Sequence, residues 1–404
     1  MKQIISLILL LFTSLVFSQD YDVIQEMIKD VRYLSSDELE GRFTGTKGEK
    51  LAADYIISKF IDNKLLPYGD KNSFLQKFDA KLRDNPHSND NAKIISGNNI
   101  IGFCDNNSLQ TVVIGAHYDH LGYGHTGSLA EERNQIHNGA DDNASGVSIM
   151  LHLIPSLIQN KNYNYLFIAF SGEEVGLYGS SFFTKNPTID LKNVRFMLNF
   201  DMVGRLNDKR TLLVNGVGTS SKWKEIIEIS NLFDLDLRTT ESGFGASDHT
   251  SFYNQEIPVL HFFTGQHEDY HKPTDDFDKI NYEGMRDIYL YVIEIIKNSS
   301  KIKQFDYQET VSESSETPRF KVTLGIMPDY LSDEGGLRID GVSKGKTAWK
   351  SGILKGDIII KMGEIDVTDI MTYMKGLSKF STGDSTTVQV IRNGQELIFN
   401  VVFD

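Results

Sequence analysis

The chain has 404 residues, 40% hydrophobic and 24% charged, enough for a full-sized core and for more than one domain. Its formal net charge of −14 comes without a basic stripe, which excludes nucleic acid and anionic membrane as partners, because phosphate binding needs clustered lysine and arginine. The single cysteine, Cys104, cannot close an internal disulfide, so the fold must rest on its core and on bound metal.

In chain order, Lys2 precedes an apolar stretch from Ile4 to Phe17, interrupted by a few serines and threonines. It reads as a signal peptide over residues 1–18, too short to span a bilayer, and predicts an exported protein, periplasmic or extracellular, with no membrane span in the mature chain. A first domain is expected over 19–300. Within it Thr46 and Glu49 have capping-box spacing, and Ala52, Tyr55, Ile56 and Phe60 then share one helical face. Between Phe78 and Asn98 the sequence reads as a short polar loop. Nearly unbroken apolar runs follow: Thr111 to Ala116, Tyr165 to Phe170, Phe196 to Phe200, Thr211 to Val214 and Pro258 to Phe263. Alternating with amphipathic helices, such as the one carrying Met285, Ile288, Val292 and Ile295, they predict strands buried on both faces, hence an α/β layer sandwich. Acidic and serine-rich residues 301–317 read as a linker. Short alternating runs with Gly and Asn-Gly turns over 318–404 predict a small β-rich domain.

Open sheets of this class bind ligands beyond the carboxyl ends of their strands, and the chemistry-bearing residues fall there. His117 and Asp119 close the first run, where an aspartate two residues on can orient an imidazole. The glycine-flanked loop Asn138 to Gly146 carries Asp141 and Asp142, one of which could bridge two cations. Glu173 and Glu174 follow the second run. Adjacent carboxylates on a turning backbone point in different directions, one towards a metal and one towards substrate as a base. Asp201 ends the third run, and His271 lies in the loop after the last. Two histidines and three carboxylates, each from a different strand end, suit two zinc ions sharing one bridging carboxylate.

The order His117-x-Asp119, Asp141-Asp142, Glu173-Glu174, Asp201, His271, with Leu39-Glu40-Gly41-Arg42 near the start, resembles the M28 family of dinuclear zinc aminopeptidases over roughly residues 30–297. The resemblance implies a mixed, mostly parallel sheet sandwiched by helices, peptide substrates and two zinc ions. His117 and Asp201 would bind one zinc, Glu174 and His271 the other, with Asp141 as the bridge and Asp119 supporting His117. Glu173 would be the general base, Tyr270 would stabilise the oxyanion, and a cis peptide is implied between Asp141 and Asp142. His120, His125, His137, His249, His261 and His267 read as surface or supporting residues; Ser247-Asp248-His249 resembles a family segment at the pocket wall. The domain over 318–404 is similar to bacterial PDZ domains. This implies capture of a polypeptide C-terminus by the amides of Leu324, Gly325 and Ile326, with the helix after Thr368, carrying Ile370 and Met374, as the other groove wall. The alternatives are a glutaminyl cyclase, which resembles this fold but normally keeps one zinc, and a non-catalytic scaffold with a peptide-binding module.

Overall fold

The apolar runs form the middle of a nine-stranded sheet in a computed structural model that describes residues 23–82, 93–124, 127–310, 322–328, 335–342, 345–368 and 370–403. The strands are β1 (Leu66–Pro67), β2 (Leu75–Leu82), β3 (Lys93–Cys104), β4 (Thr111–His117), β5 (Asn164–Phe170), β6 (Val194–Phe200), β7 (Thr211–Asn215), β8 (Asp236–Thr240) and β9 (Val259–Phe263). Their order is β1-β3-β5-β4-β6-β9-β7-β8, with β2 also paired to β3. The central four, β5-β4-β6-β9, run parallel, while β3 and β7 join them antiparallel, so the sheet is mixed.

Burial on both faces explains the unbroken runs. Val112, Ile114 and Ala116 of β4 and Tyr165, Phe167 and Ala169 of β5 pack on one face, against the helices Lys47–Asp62, Gly146–Gln159 and Tyr282–Ser299. The alternate residues Val113, Leu166, Ile168 and Phe170 pack on the other, with Phe183 and Phe252. Each of the valine, leucine, isoleucine and phenylalanine side chains contributes about 1.5–3 kcal/mol of burial. The chain leaves β4 for β5 on one side and then crosses to β6 on the other, so a crevice opens at the carboxyl end of β4, where His117 stands.

Three expectations need correcting. Residues 75–82 and 93–104 are not a polar loop but antiparallel strands in full register from Leu75–Ile100 to Leu82–Lys93; only 83–92 lies outside the described residues. The pattern is hidden because a hydrogen-bonded polar pair, Gln76 and Asn99, lies inside beside Phe78. Residues 302–310 do not behave as a linker. Phe305 packs on Phe196 and Trp223, with ring centroids 5.2 and 4.8 Å apart, and Thr310 is bonded to Tyr253 and Gly243. The capping box also differs: Thr46 accepts from the Glu49 amide, but Glu49 takes the amide of Gly45 instead of Thr46, and its other oxygen accepts from Ser171. The expected signal peptide, and 311–317 of the expected linker, lie outside the described residues. No helix among the described residues is long and apolar enough to cross a membrane.

The second unit is a six-stranded antiparallel sheet in the order β10-β11-β12-β14-β15, with β13 beside β12: β10 (Ile326–Pro328), β11 (Leu337–Val342), β12 (Ile358–Met362), β13 (Ile365–Asp366), β14 (Ser385–Arg392) and β15 (Gln395–Val402). Leu324, Leu337, Ile339, Ile359, Val388, Val390 and Phe403 fill its core. Arg392 grips the buried Asp357 through two bonds of 2.6 and 2.7 Å and fixes the turn before β12.

Candidate metal centre

Parallel register sets the site. His117 ends β4 opposite Phe170, and Asp201 follows β6, so both side chains emerge at one sheet edge. His117 Nε2 lies 3.3 Å from Asp201 Oδ1 and 3.3 Å from Asp142 Oδ1. His271 Nε2 lies 3.3 Å from the other Asp142 oxygen and 3.3 Å from Glu174 Oε2. Asp142 therefore presents one oxygen to each histidine, the arrangement of a bridging carboxylate.

The aspartate that faces both histidines is Asp142, not the expected Asp141. Both oxygens of Asp141 are taken, one by the Gly204 amide at 2.6 Å and one by His267 Nε2 at 3.1 Å. Loop 141–145 is further stitched to the end of β6: Asn143 donates to the Phe200 carbonyl and accepts from the Met202 amide, and Ser145 accepts from the Val203 amide. With its neighbour tied back, Asp142 is the side chain left facing the crevice. The cis peptide likewise lies one residue later than implied, between Asp142 and Asn143. Asp275 accepts from the amides of both Asp141 and Asp142, and Arg205 braces Asp275 and Asp269.

These donors fit zinc. Ligands about 2.0–2.1 Å from a tetrahedral ion stand about 3.3 Å from one another, which is the distance from His117 and from His271 to each of its two carboxylates and longer than a good charge-assisted hydrogen bond. His117, Asp142 and Asp201 would hold one ion; Asp142, Glu174 and His271 would hold the other. His120, read from sequence as a supporting residue, lies inside the second group: its Nδ1 is 2.6 Å from Glu174 Oε1 and 3.9 Å from Asp142 Oδ2. It occupies one Glu174 oxygen and leaves the other towards His271.

Electrostatics follow from crowding buried charges. Burial pushes Asp142 up, but His120, His117 and His271 outweigh it and hold the carboxyl well below the usual range. Burial likewise raises Glu174, yet His271 and His120 bring it down to about 2. Glu173 goes the other way: burial, reinforced by Asp201, Glu174 and Asp248 and opposed by His117, holds it well above the ordinary value. The two adjacent glutamates are thus shifted in opposite directions. Asp119, pushed up by burial to about 7, accepts from Thr44 and from the Glu173 amide. It meets His117 Nδ1 through its main-chain oxygen at 3.2 Å, with its carboxylate at 3.8 Å. Tyr270 stacks on His271 with ring centroids 3.8 Å apart.

Of the remaining histidines, His249 and His261 stack on each other in the interior, centroids 4.5 Å apart, and burial lowers both, His261 to about 4. His137 bonds Ser128, and His125 lies outside the described residues. Ser247 accepts from Asn199, and Asp248 is fully buried. In the second unit Leu324 is buried, β10 is an edge strand, and Gly325 turns at φ +71, where a Cβ would sit 2.3 Å from Lys346. The helix Ile370–Leu377 forms as expected, and Met374 packs on the core.

Residues 99–296 match the model of peptidase family M28, and residues 322–402 match that of the PDZ domain. Aminopeptidase YwaD of Bacillus subtilis is 29% identical over 230 residues, 52% of this chain and 47% of that protein. The alkaline phosphatase isozyme conversion protein of Escherichia coli is 31% identical over 164 residues, 40% of this chain and 46% of its own. The chain thus spans about half the length of the curated relatives it matches. Among solved structures, a zinc aminopeptidase from Bacillus subtilis shares the fold at a TM-score of 0.55 and 20% identity, covering 72% of this chain and 98% of that one. A glutaminyl cyclase from Bacteroides thetaiotaomicron does so at 0.55 and 19%, covering 68% and 97%. The sequence matches and the shared fold agree: residues 99–296 form a peptidase family M28 domain, and a PDZ domain follows it over residues 322–402.

Proposed function

We propose that the protein is an exported exopeptidase that removes amino-terminal residues from peptides with the help of two zinc ions held by His117, Asp142, Asp201, Glu174 and His271. The observation that carries the reading is that His117 and His271 each stand 3.3 Å from two carboxylate oxygens, with Asp142 common to both sets. When bound, zinc polarises the scissile carbonyl and lowers the pKa of water towards about 7. Glu173, kept basic by burial, accepts the proton of the attacking water and returns it to the leaving amine. Tyr270 would donate its phenol to the oxyanion, a role that its stacking on His271 supports. Thr44 and the Glu173 amide hold Asp119, and through it the turn after His117.

In the PDZ domain the open edge of β10 and the turn at Gly325 support capture of a polypeptide C-terminus by the amides of Leu324, Gly325 and Ile326. That domain would recruit or position polypeptide for the peptidase.

Purified protein should bind two zinc equivalents and release amino acids from peptides with a free amino terminus, and lose that activity to a chelator. Equal turnover of amino-blocked peptides would overturn the aminopeptidase reading. The fold shared with a glutaminyl cyclase favours a second reading. Cyclisation of amino-terminal glutamine with a single bound zinc would establish it in place of the first.

A further inference from the structure

Three consecutive residues, Glu40, Gly41 and Arg42, sit in the left-handed region at φ 48, 67 and 49. For the two that carry a Cβ this costs about 1–2 kcal/mol each, so something must hold them there. Gly41 is wedged against the chain: a Cβ on it would lie 2.5 Å from the His137 carbonyl oxygen and 2.7 Å from that of Gly122. Backbone bonds from Gly122 to Gly41 and from His120 to Arg42 clamp the turn onto the segment after His117.

The clamp delivers one side chain. Arg42 is 1% exposed, and among the described residues no carboxylate lies within ion-pair distance of it. Its donors go to main-chain carbonyls: Nε to Tyr118 at 2.8 Å, Nη1 to Asn138 at 2.7 Å and to Leu34, and Nη2 to Gly139 at 3.0 Å. Tyr118 follows the ligand His117, while Asn138 and Gly139 lead into the loop of Asp142. A buried guanidinium bonded only to neutral carbonyls is a poor way to gain stability, but its rigid planar fork can set the spacing of two loops.

Accepting the metal centre above, we propose that Arg42 is a positioning residue, whose fork fixes the turn after His117 and the loop before Asp142 so that their ligand atoms face each other. A competing account is charge alone, since Asp142, Asp119, Asp275 and Glu174 surround it. The two make opposite demands. If the fork matters, Arg42→Lys keeps the charge but fails, because an ammonium cannot reach the same set of carbonyls. If charge alone matters, Lys suffices, and Arg42→Gln binds zinc more tightly by removing a repelling cation.

The test compares full-length wild type, Arg42→Lys and Arg42→Gln by zinc titration, by the visible spectrum of the cobalt-loaded protein and by hydrogen exchange without metal. Both variants are expected to bind zinc about 10- to 100-fold more weakly, as when a group orienting a ligand is lost. The cobalt bands should shift, and amides over 117–120 and 138–143 should exchange faster while the rest of the sheet does not. Wild-type affinity in Arg42→Lys, tighter zinc in Arg42→Gln, or unchanged exchange in both segments overturns the proposal. The exchange readout needs no metal, so it judges Arg42 even if wild type binds no zinc and the peptidase reading fails. Should neither variant fold, wild-type protein labelled with nitrogen-15 at arginine decides: a locked fork gives separate, slowly rotating Nη signals for Arg42, assigned apart from those of the other buried arginine, Arg195, and their absence overturns the proposal.

Discussion

At the scale of single residues, the site turns on which of two adjacent aspartates faces the crevice. Sequence places Asp141 and Asp142 together but cannot say which is tied back. That depends on the Gly204 amide and on His267, more than sixty residues away in the chain. Asp142→Asn is therefore expected to cost both zinc ions, whereas Asp141→Asn, which keeps one acceptor for Gly204, retains two by metal analysis. Glu173→Gln should keep both metals and lower kcat by about 10²- to 10⁴-fold, the usual contribution of a positioned base. Turnover at the wild-type rate would remove Glu173 from that role. That His117, Glu174, Asp201 and His271 gather at one sheet edge is legible because each closes or follows an apolar strand. Asp275 was not, because its task is to accept two backbone amides, and no residue pattern announces that.

Between elements, polar junctions supply what apolar periodicity leaves out. Asp30, on the helical residues 23–34, is 1% exposed and joins three helices through Tyr55 at 2.6 Å, Lys59 at 2.8 Å and His152 at 3.1 Å. Burial pushes its carboxyl up, but His152, Lys59 and Tyr55 outweigh it and hold it below the ordinary 3.8. A folded-state value below the unfolded one means that the junction contributes fully above pH 3.8 and that its contribution is lost as pH falls further. Asp30→Asn should cost about 2 kcal/mol at pH 7, and denaturant titrations of variant and wild type should converge as pH drops below 3.8. The strap over 302–310 makes a second junction. Phe305→Ala should remove about 2 kcal/mol by opening the contact with Phe196 and Trp223, measurable as a lower unfolding temperature of the peptidase domain. An unchanged temperature would mean that the strap merely rests on the surface. Its polar residues Lys303, Gln304, Asp306, Gln308 and Glu309 hid it, while Ile302, Phe305 and Tyr307 carry it inward.

For the whole molecule, the α/β layers and the β-rich second unit were readable from where apolar runs fall, and the sheet's antiparallel flank was not. The peptidase domain gathers Asp119, Asp142, Asp201, Glu173 and Glu174 at one buried edge, an arrangement of like charges that cations should relieve. Chelation is expected to lower the unfolding temperature and zinc to restore it; a hundredfold excess over Kd is worth about 2.7 kcal/mol. Calorimetry with and without chelator checks this, and identical curves would argue against a structural contribution from metal.

The anchoring of Thr310 to Tyr253 and Gly243 also sets a leash. Whatever path they take, the residues between Thr310 and Val322 cannot reach farther than about 40 Å. The radius starts where the end of a helix at Tyr253 and a loop at Gly243 tie the chain, not at the last helix, so a peptide held by the second unit would stay within that covalent reach of the first. Were the second unit to hold a peptide, lengthening that stretch would dilute the peptide around the first.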